Sequence, residues 1–578
     1  MHYEDILQRI GPYGKYQKLL VFVMLLAKVP TAFHFIGQVF LAANTDHWCA
    51  VPDSQRINCS HLQLASATEC QEEQKSYSIP YHIDDDGKQV YSSCERYATD
   101  DDDVGRNQSL NSTDVISCDA GWEFDHSRYK STINEDFSLV CDREDLPGYA
   151  QSVWFAGLLV GSLLWGSVGD WIGRRKTFIL AFSLVTISSI VTSFVPSFTA
   201  YTAMRFFTAA CSYGGVLMVY VLMSEIVGPK QRVTANTMLF FSFAIGYLLL
   251  TLLAFLLREW RHLQLAISLP FIITLPAMLI SPESPRWLIT KGRCKEATKI
   301  IHKIAKVNGT KAPDDLLDKL SEKSKEETKQ PSRIPVTQLD LLRTPNLRKK
   351  TLILWVDWFV VNMVYYGLSL STSALGVDDY LAAFVSAALE IPSYLVCWYV
   401  MDRFGRRITL VAFYIFGGVS CLITVFIPLG AARAAVAMVG KFAISAAFGH
   451  IYIYSLEIYP TIIRSIGMGT SSMVARVSGV LCPLILILGK YWEPLPLCVF
   501  GGSAIIAGVL SLMLPETMGY SLPDTIQDGE NFGKGRRFQL CVKSNDDGED
   551  ESPTQPPQDY LPLSTCTMDQ TAKQPVDV

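Results

Sequence analysis

The chain has 578 residues, of which 49% are hydrophobic and only 18% charged, with a formal net charge of −5. A soluble protein of this length would scatter its apolar residues among charges at helical or strand period. Here they collect in blocks of about 18–25, the length that crosses a bilayer core, which excludes a soluble multidomain enzyme.

The first 18 residues carry charges and the sequence Gly-Pro-Tyr-Gly, and no small-residue cleavage site follows the first apolar run, so a removed signal peptide is not expected. Apolar runs then predict spans at 19–43, 148–169, 177–197, 201–224, 233–257 and 262–281, and again at 351–371, 380–401, 408–428, 433–455, 466–488 and 492–514. All twelve are expected to be helical, because a lone helix satisfies its own backbone in lipid. Pro30, Pro276, Pro392 and Pro483 interrupt four of them.

Between the first two spans, residues 44–147 hold 22 Asp and Glu against 8 Lys and Arg. They also carry sequons at Asn58, Asn107 and Asn111 and six cysteines, Cys49, Cys59, Cys70, Cys94, Cys118 and Cys141. Glycans and disulfides both belong to the outer side, so this segment reads as an extracellular, disulfide-bonded loop whose pairing could take any of fifteen patterns. Residues 286–350 show the opposite balance, 17 Lys and Arg against 8 Asp and Glu. With Arg174, Arg175 and Lys176 after the second span they should lie inside, which puts both termini in the cytosol. Within that loop, residues 294–309 set Ala297, Ile300, Ile301 and Ile304 on one helical face. After 514 the chain continues as a cytosolic tail, acidic and rich in Pro, Ser and Thr beyond 533 and expected to lack a packed core. It ends Pro575-Val576-Asp577-Val578, which could add a strand to a PDZ-type scaffold.

An internal repeat divides the chain. Asp170 followed by Gly-Arg-Arg at 173–175 returns 232 residues later as Asp402 followed by Gly-Arg-Arg at 405–407. Glu225 and Arg232 return as Glu457 and Arg464 at the same offset, and Pro282-Glu283 returns as Pro515-Glu516 at 233. The expected architecture is therefore an all-α membrane protein of twelve transmembrane helices in two pseudo-symmetric six-helix bundles. All these charges fall at the cytosolic ends of spans. There Arg174, Arg175, Arg406 and Arg407 can bridge to Glu225, Glu457, Glu283 or Glu516 and gate the cavity, or else merely anchor the positive side.

These motifs resemble the organic cation, carnitine and organic anion transporter family of the major facilitator superfamily. The resemblance rests on the cysteine-rich first loop, GSVGDWIGRR at 166–175, PESPRWL at 282–288, ALEIPSY at 388–394 and EIYPTIIRS at 457–465. LPETMGYSLPDTIQDGENFG at 514–533 is similar to invertebrate organic cation transporter-like members. The chain departs from the motif turns at Trp171 and Trp398, which points to looser packing there. The resemblance implies the major facilitator fold and alternating access.

Charged residues in mid-membrane are functional candidates by default, and Lys28, Asp357, Glu390 and Arg476 stand out. Asp357 reads most simply as an interfacial charge. The resemblance places Glu390 at an acidic cavity position and Arg476 at the site that separates subgroups, arginine in anion and carnitine carriers and aspartate in classical cation carriers. Tyr394 stands where anion carriers have a second basic residue. The resemblance also sets Tyr220, Trp358, Tyr365, Tyr366, Phe35, Gln38, Phe241 and His450 on cavity-lining spans. Trp358 and Tyr365, two turns apart, could offer faces to an ammonium group. Alternatively, Glu390 and Arg476 form a structural ion pair.

The expected substrate is a small organic cation or zwitterion of carnitine type, carried across the plasma membrane, with an organic anion exchanger as the rival. A non-transporting receptor-like protein is the alternative of another class. No phosphate-binding loop, metal-ligand spacing or nucleophile–base set occurs, so neither a cofactor nor an enzyme is expected, and a coupled ion remains open. A monovalent cation entering down about 100 mV gains about 2.3 kcal/mol, enough for accumulation unaided.

Overall fold

A computed structural model describes residues 3–51, 67–83, 89–97, 115–313, 337–520 and 522–533. Asn58, Asn107, Asn111, Cys59 and the tail beyond 533 lie outside the described residues, as does the side chain of Cys70. The first bundle comprises α1 (Lys15–Ile36), α2 (Leu146–Ile172), α3 (Arg174–Thr192), α4 (Phe198–Ile226), α5 (Pro229–Leu256) and α6, which is made of two pieces, Trp260–Ser268 and Pro270–Ile280. The second comprises α7 (Pro345–Leu370), α8 (Asp379–Phe404), α9 (Arg406–Val425), α10 (Ala431–Ile458), α11 (Arg464–Ile487) and α12 (Leu495–Ser511).

Ten of these are long and apolar enough to cross a membrane. The sixth and twelfth spans fall short for different reasons: α6 is broken at Leu269, just before Pro270, and α12 is an apolar helix of 17 residues. Pro30, Pro276, Pro392 and Pro483 sit inside helices, as membrane helices tolerate. The halves meet where α2 packs on α11 and α5 on α8. At the first contact Gly479 lets the ring of Phe155 approach so closely that a Cβ there would lie 2.7 Å from it.

The segment between α1 and α2 forms a small domain at one end of the bundle. Its β-strands His47–Cys49 and Trp122–Phe124 pair antiparallel, as do Glu95–Tyr97 and Val115–Ser117. Two disulfides reduce the fifteen open patterns: Cys49 joins Cys118 and Cys94 joins Cys141. Arg96 donates to both carboxylate oxygens of Asp119 at 2.7 and 2.8 Å and holds that carboxyl down at about 2. Among the described residues, Cys211, Cys294, Cys397, Cys421, Cys482 and Cys498 are free.

At the opposite, basic end the amphipathic helix Cys294–Asn308 buries Ala297, Ile301 and Ile304, while Ile300 is only partly covered. It packs on Ile6, Leu7 and Ile10 of the first 18 residues, which form a helix of their own, Tyr3–Arg9. Trp171 is 80% exposed and Trp398 also faces outward. The bulky departures from the motif therefore point away from the turns and do not loosen them.

Candidate functional site

The repeated charges build the same latch twice. Gly173 and Gly405 join α2 to α3 and α8 to α9 at φ of 103° and 89°, backbone that L side chains rarely adopt. A Cβ at these positions would also lie 2.5 Å from Glu283 Oε2 and 2.7 Å from Glu516 Oε2. Both carboxylates cap a helix N-terminus, Glu283 accepting from the Arg175 N–H at 3.1 Å and Glu516 from those of Arg406 and Arg407 at 2.8 and 3.0 Å. Arg174 then bridges Asp170 at 2.8 Å and Glu225 at 3.4 Å, and Arg406 bridges Asp402 at 3.4 Å and Glu457 at 3.3 Å. Arg232 donates to the Val227 carbonyl and Arg464 to that of Tyr459. Each of these bridges closes within one half. They do not clasp the two halves together.

Contacts between halves are found instead at the disulfide-bonded end. Tyr380, at the start of α8, stacks on Phe40 at 5.8 Å and meets Phe255 edge-on at 5.6 Å. Arg128 reaches Asp379 at 3.3 Å, Tyr129 donates to the same carboxylate at 3.2 Å, and Lys490 pairs with Glu144.

Between the halves, midway along the helices, lies a cavity of about 80 Å³. That is well below the about 300–1,000 Å³ of drug-sized sites, so in this conformation it suits a compact solute. Its walls come from both bundles. Phe35, Tyr220, Tyr365, Tyr366 and Arg476 line it as expected, together with Lys28 and Tyr394. Of the remaining expected residues, Phe241 lies beside the ring of Tyr394 at 5.8 Å, and its neighbour Phe240 takes the place on the wall. Trp358 is buried and turned toward α10, donating to Ser455 Oγ at 2.9 Å. It does not share a groove with Tyr365. Gln38 accepts from the Tyr201 hydroxyl at 2.8 Å, and His450 is buried against Cys397 and Tyr454.

The charges fall out differently from either expectation. Glu390 is fully buried behind the wall. Its partners are the Tyr365 hydroxyl at 2.6 Å and Lys441 at 3.3 Å, not Arg476. Lys441 Nζ also sits 3.4 Å from the centre of the Tyr365 ring, donates to the Tyr365 carbonyl at 3.3 Å and bonds Ser369 Oγ. An ammonium thus already occupies the place where a carboxylate and an aromatic face converge. Arg476 stands over the Tyr213 ring at 5.1 Å and donates to the Ser472 carbonyl at 3.2 Å. Lys28 lies 5.4 Å from the Tyr220 ring and 5.9 Å from that of Phe243. The charged groups lining the cavity, Lys28 and Arg476, are therefore both basic, and among the described residues no carboxylate lines it.

The sequence reading passed over two buried cations. Lys441 lies eleven residues into α10 among small residues, and its partner is 51 positions away. Arg205 on α4 is also fully buried, held by Gln151 Oε1 at 2.7 Å, the His34 carbonyl at 3.3 Å and the Trp154 face at 4.3 Å. Counting every charge within a predicted span would have found both.

Residues 123–526 match the sugar (and other) transporter family. The chain is 37% identical over 542 residues to a protein of Drosophila melanogaster named organic cation transporter protein, covering 92% of this chain and 95% of that one. It is 36% identical to the carcinine transporter of the same organism, over 93% of this chain and 81% of the relative. It is 33% identical to human organic cation/carnitine transporter 2, over 91% and 93%. Among solved structures, the xylose transporter XylE from E. coli in a partially occluded inward-open conformation superposes with a TM-score of 0.57 at 13% identity, over 88% of this chain and all of that one.

Proposed function

The chain belongs to the sugar (and other) transporter family, in its organic cation and carnitine transporter branch, and on that premise we propose that it carries small zwitterions bearing both a carboxylate and an ammonium group. It is a multi-pass membrane transporter of the major facilitator fold and not an enzyme. The observation that carries the substrate class is the cavity's charge pattern: Arg476 and Lys28 at the wall, aromatic faces around them, and Glu390 already neutralised by Lys441. A guanidinium offers paired donors to a carboxylate, and the faces of Tyr220, Tyr365 and Tyr366 attract an ammonium group. A simple cation finds no free carboxylate at that wall. An organic anion exchanger would also use Arg476 and Lys28, but the relatives are named for organic cations, carcinine, carnitine and β-alanine, the last a zwitterion at neutral pH.

The setting of this carrier is the plasma membrane, with the 44–147 domain outside and both termini in the cytosol. Asn58, Asn107 and Asn111 carry glycans there. The two latches stiffen each half at the cytosolic end while the cavity is exposed to alternate sides, and Val578 is offered to a scaffold of PDZ type.

Uptake of labelled carnitine, a compact quaternary cation and an aryl carboxylate by cells expressing the wild type or Arg476→Asp tests the substrate class. The wild type should favour carnitine, and the variant should lose carnitine uptake while keeping or gaining the quaternary cation. Preference of the wild type for the aryl carboxylate overturns the proposal.

A further inference from the structure

Asp357 does not sit at an interface. It is fully buried on α7, seven residues beyond Lys350, which binds the Gly529 and Phe532 carbonyls at the basic end. Seven residues are about two turns, so the carboxylate stands about 10 Å inside the bundle. One oxygen accepts from Ser511 Oγ of α12 at 3.0 Å, and the other has no hydrogen-bond partner. The Tyr414 hydroxyl of α9 donates at 2.7 Å to the backbone carbonyl of Asp357 and not to its carboxylate. Among the described residues it enters no ion pair.

The remaining charged and titratable groups around this position are engaged elsewhere. Tyr454 of α10 shares the electrostatic surroundings of Asp357, Glu457, Glu516 and Arg407, and its hydroxyl donates to the Pro515 carbonyl at 2.6 Å. Glu457 is held by Arg406 and by the Thr517 hydroxyl, and Glu516 by the N–H groups opening α9. On α11, Arg464 donates to the Tyr459 carbonyl and Arg476 to that of Ser472. Two carboxylates of the second half, both 0% exposed, are thus buried in contrasting ways. Glu390 has an ammonium beside it, and Asp357 has a single hydroxyl.

Removing an ionised carboxylate from water without a counter-charge costs several kcal/mol even after relaxation. A proton removes that charge, and nothing else in the packing does. We propose that Asp357 is a proton-binding site, occupied in the conformation described and emptied when the basic end of the second half loosens. Its partner Ser511 ends α12, four residues before Pro515 and five before Glu516, so a change in the charge of Asp357 acts on the segment that closes that end. This deepens the carrier reading by naming the coupled ion as a proton, and it rests on that reading for its uptake arm only.

The test uses the full chain in proteoliposomes with labelled β-alanine as probe and an imposed pH gradient. Wild-type accumulation should rise about tenfold per unit of gradient, as one proton per cycle gives. Asp357→Asn should exchange β-alanine across the membrane and ignore the gradient. A wild type indifferent to pH, or a variant that responds like it, overturns the proposal. If β-alanine is not carried at all, the substrate reading fails, and thermal denaturation of the detergent-solubilised protein decides the proton site without any substrate. The wild type should then lose stability as the medium is made alkaline, and Asp357→Asn should lose distinctly less. Equal losses overturn it. Should Asp357→Asn not reach the membrane, Ser511→Ala, which removes the carboxylate's one side-chain partner, should move the midpoint of the wild-type pH profile, and an unmoved midpoint counts against the site.

Discussion

Replacing Lys441 by methionine is the sharpest test of how the second half manages its buried charge. Lys441 and Glu390 are 2% and 0% exposed, so neither can turn to water when the other is removed. Lys441→Met leaves the Glu390 carboxylate with only the Tyr365 hydroxyl on one oxygen and nothing on the other. Breaking one side of a buried pair costs about 3–5 kcal/mol, whereas replacing both by neutral groups of similar volume is often close to neutral. The single variant should therefore lose most of its heat resistance in detergent. Lys441→Met combined with Glu390→Gln should recover most of it, a coupling of about 3 kcal/mol or more that a double-mutant cycle reads directly. Surviving Lys441→Met protein should also accept a compact quaternary cation better than the wild type, because the subsite at Glu390 and the Tyr365 ring is vacated. A Lys441→Met protein as stable as wild type, or a double variant that falls by the sum of the singles, refutes the reasoning.

Two further outcomes follow from the latch and the outer domain. Gly405→Ala combines an unfavourable φ with a Cβ 2.7 Å from Glu516 Oε2, so it should cost about 1–3 kcal/mol and lower surface abundance, read by surface biotinylation. Adding Glu516→Ala should relieve the clash and not the φ strain. Cys94→Ser opens a loop of 47 residues, worth about 4 kcal/mol in the chain-entropy account, and should reduce the surface fraction more than Cys498→Ser, which alters a free thiol.

The fold was readable because two strong signals coincide. Span-length apolar blocks set the number of helices, and the repeat of Asp170, Gly173, Arg174 and Glu225 at Asp402, Gly405, Arg406 and Glu457 grouped them. The partners of those charges were guessed only as a set, since spacing does not say whether Arg174 meets a residue of its own half or of the other. At the cavity, Tyr365, Tyr366, Tyr220, Phe35 and Arg476 were found, while Trp358, Gln38 and His450 were not on the wall. Two residues seven apart share nearly one face but stand about 10 Å apart along the axis, so Tyr365 reaches the cavity while Trp358, two turns nearer the basic end, is covered by α10. Asp357 was misjudged for a related reason: nearness to a span's end suggested water, but α9, α10 and α12 close over it. Lys441 is legible as a charge within a span, but its pairing with Glu390 is not, because no local pattern links α8 to α10.

The paired latches also bear on the ancestry of the chain. Glu283 and Glu516 each complete the basic end of a six-helix unit with residues drawn from that unit alone. In a protein half this size, before any duplication, that cap could thus close without residues from a second copy. What the second copy supplies is the opposite wall of the cavity.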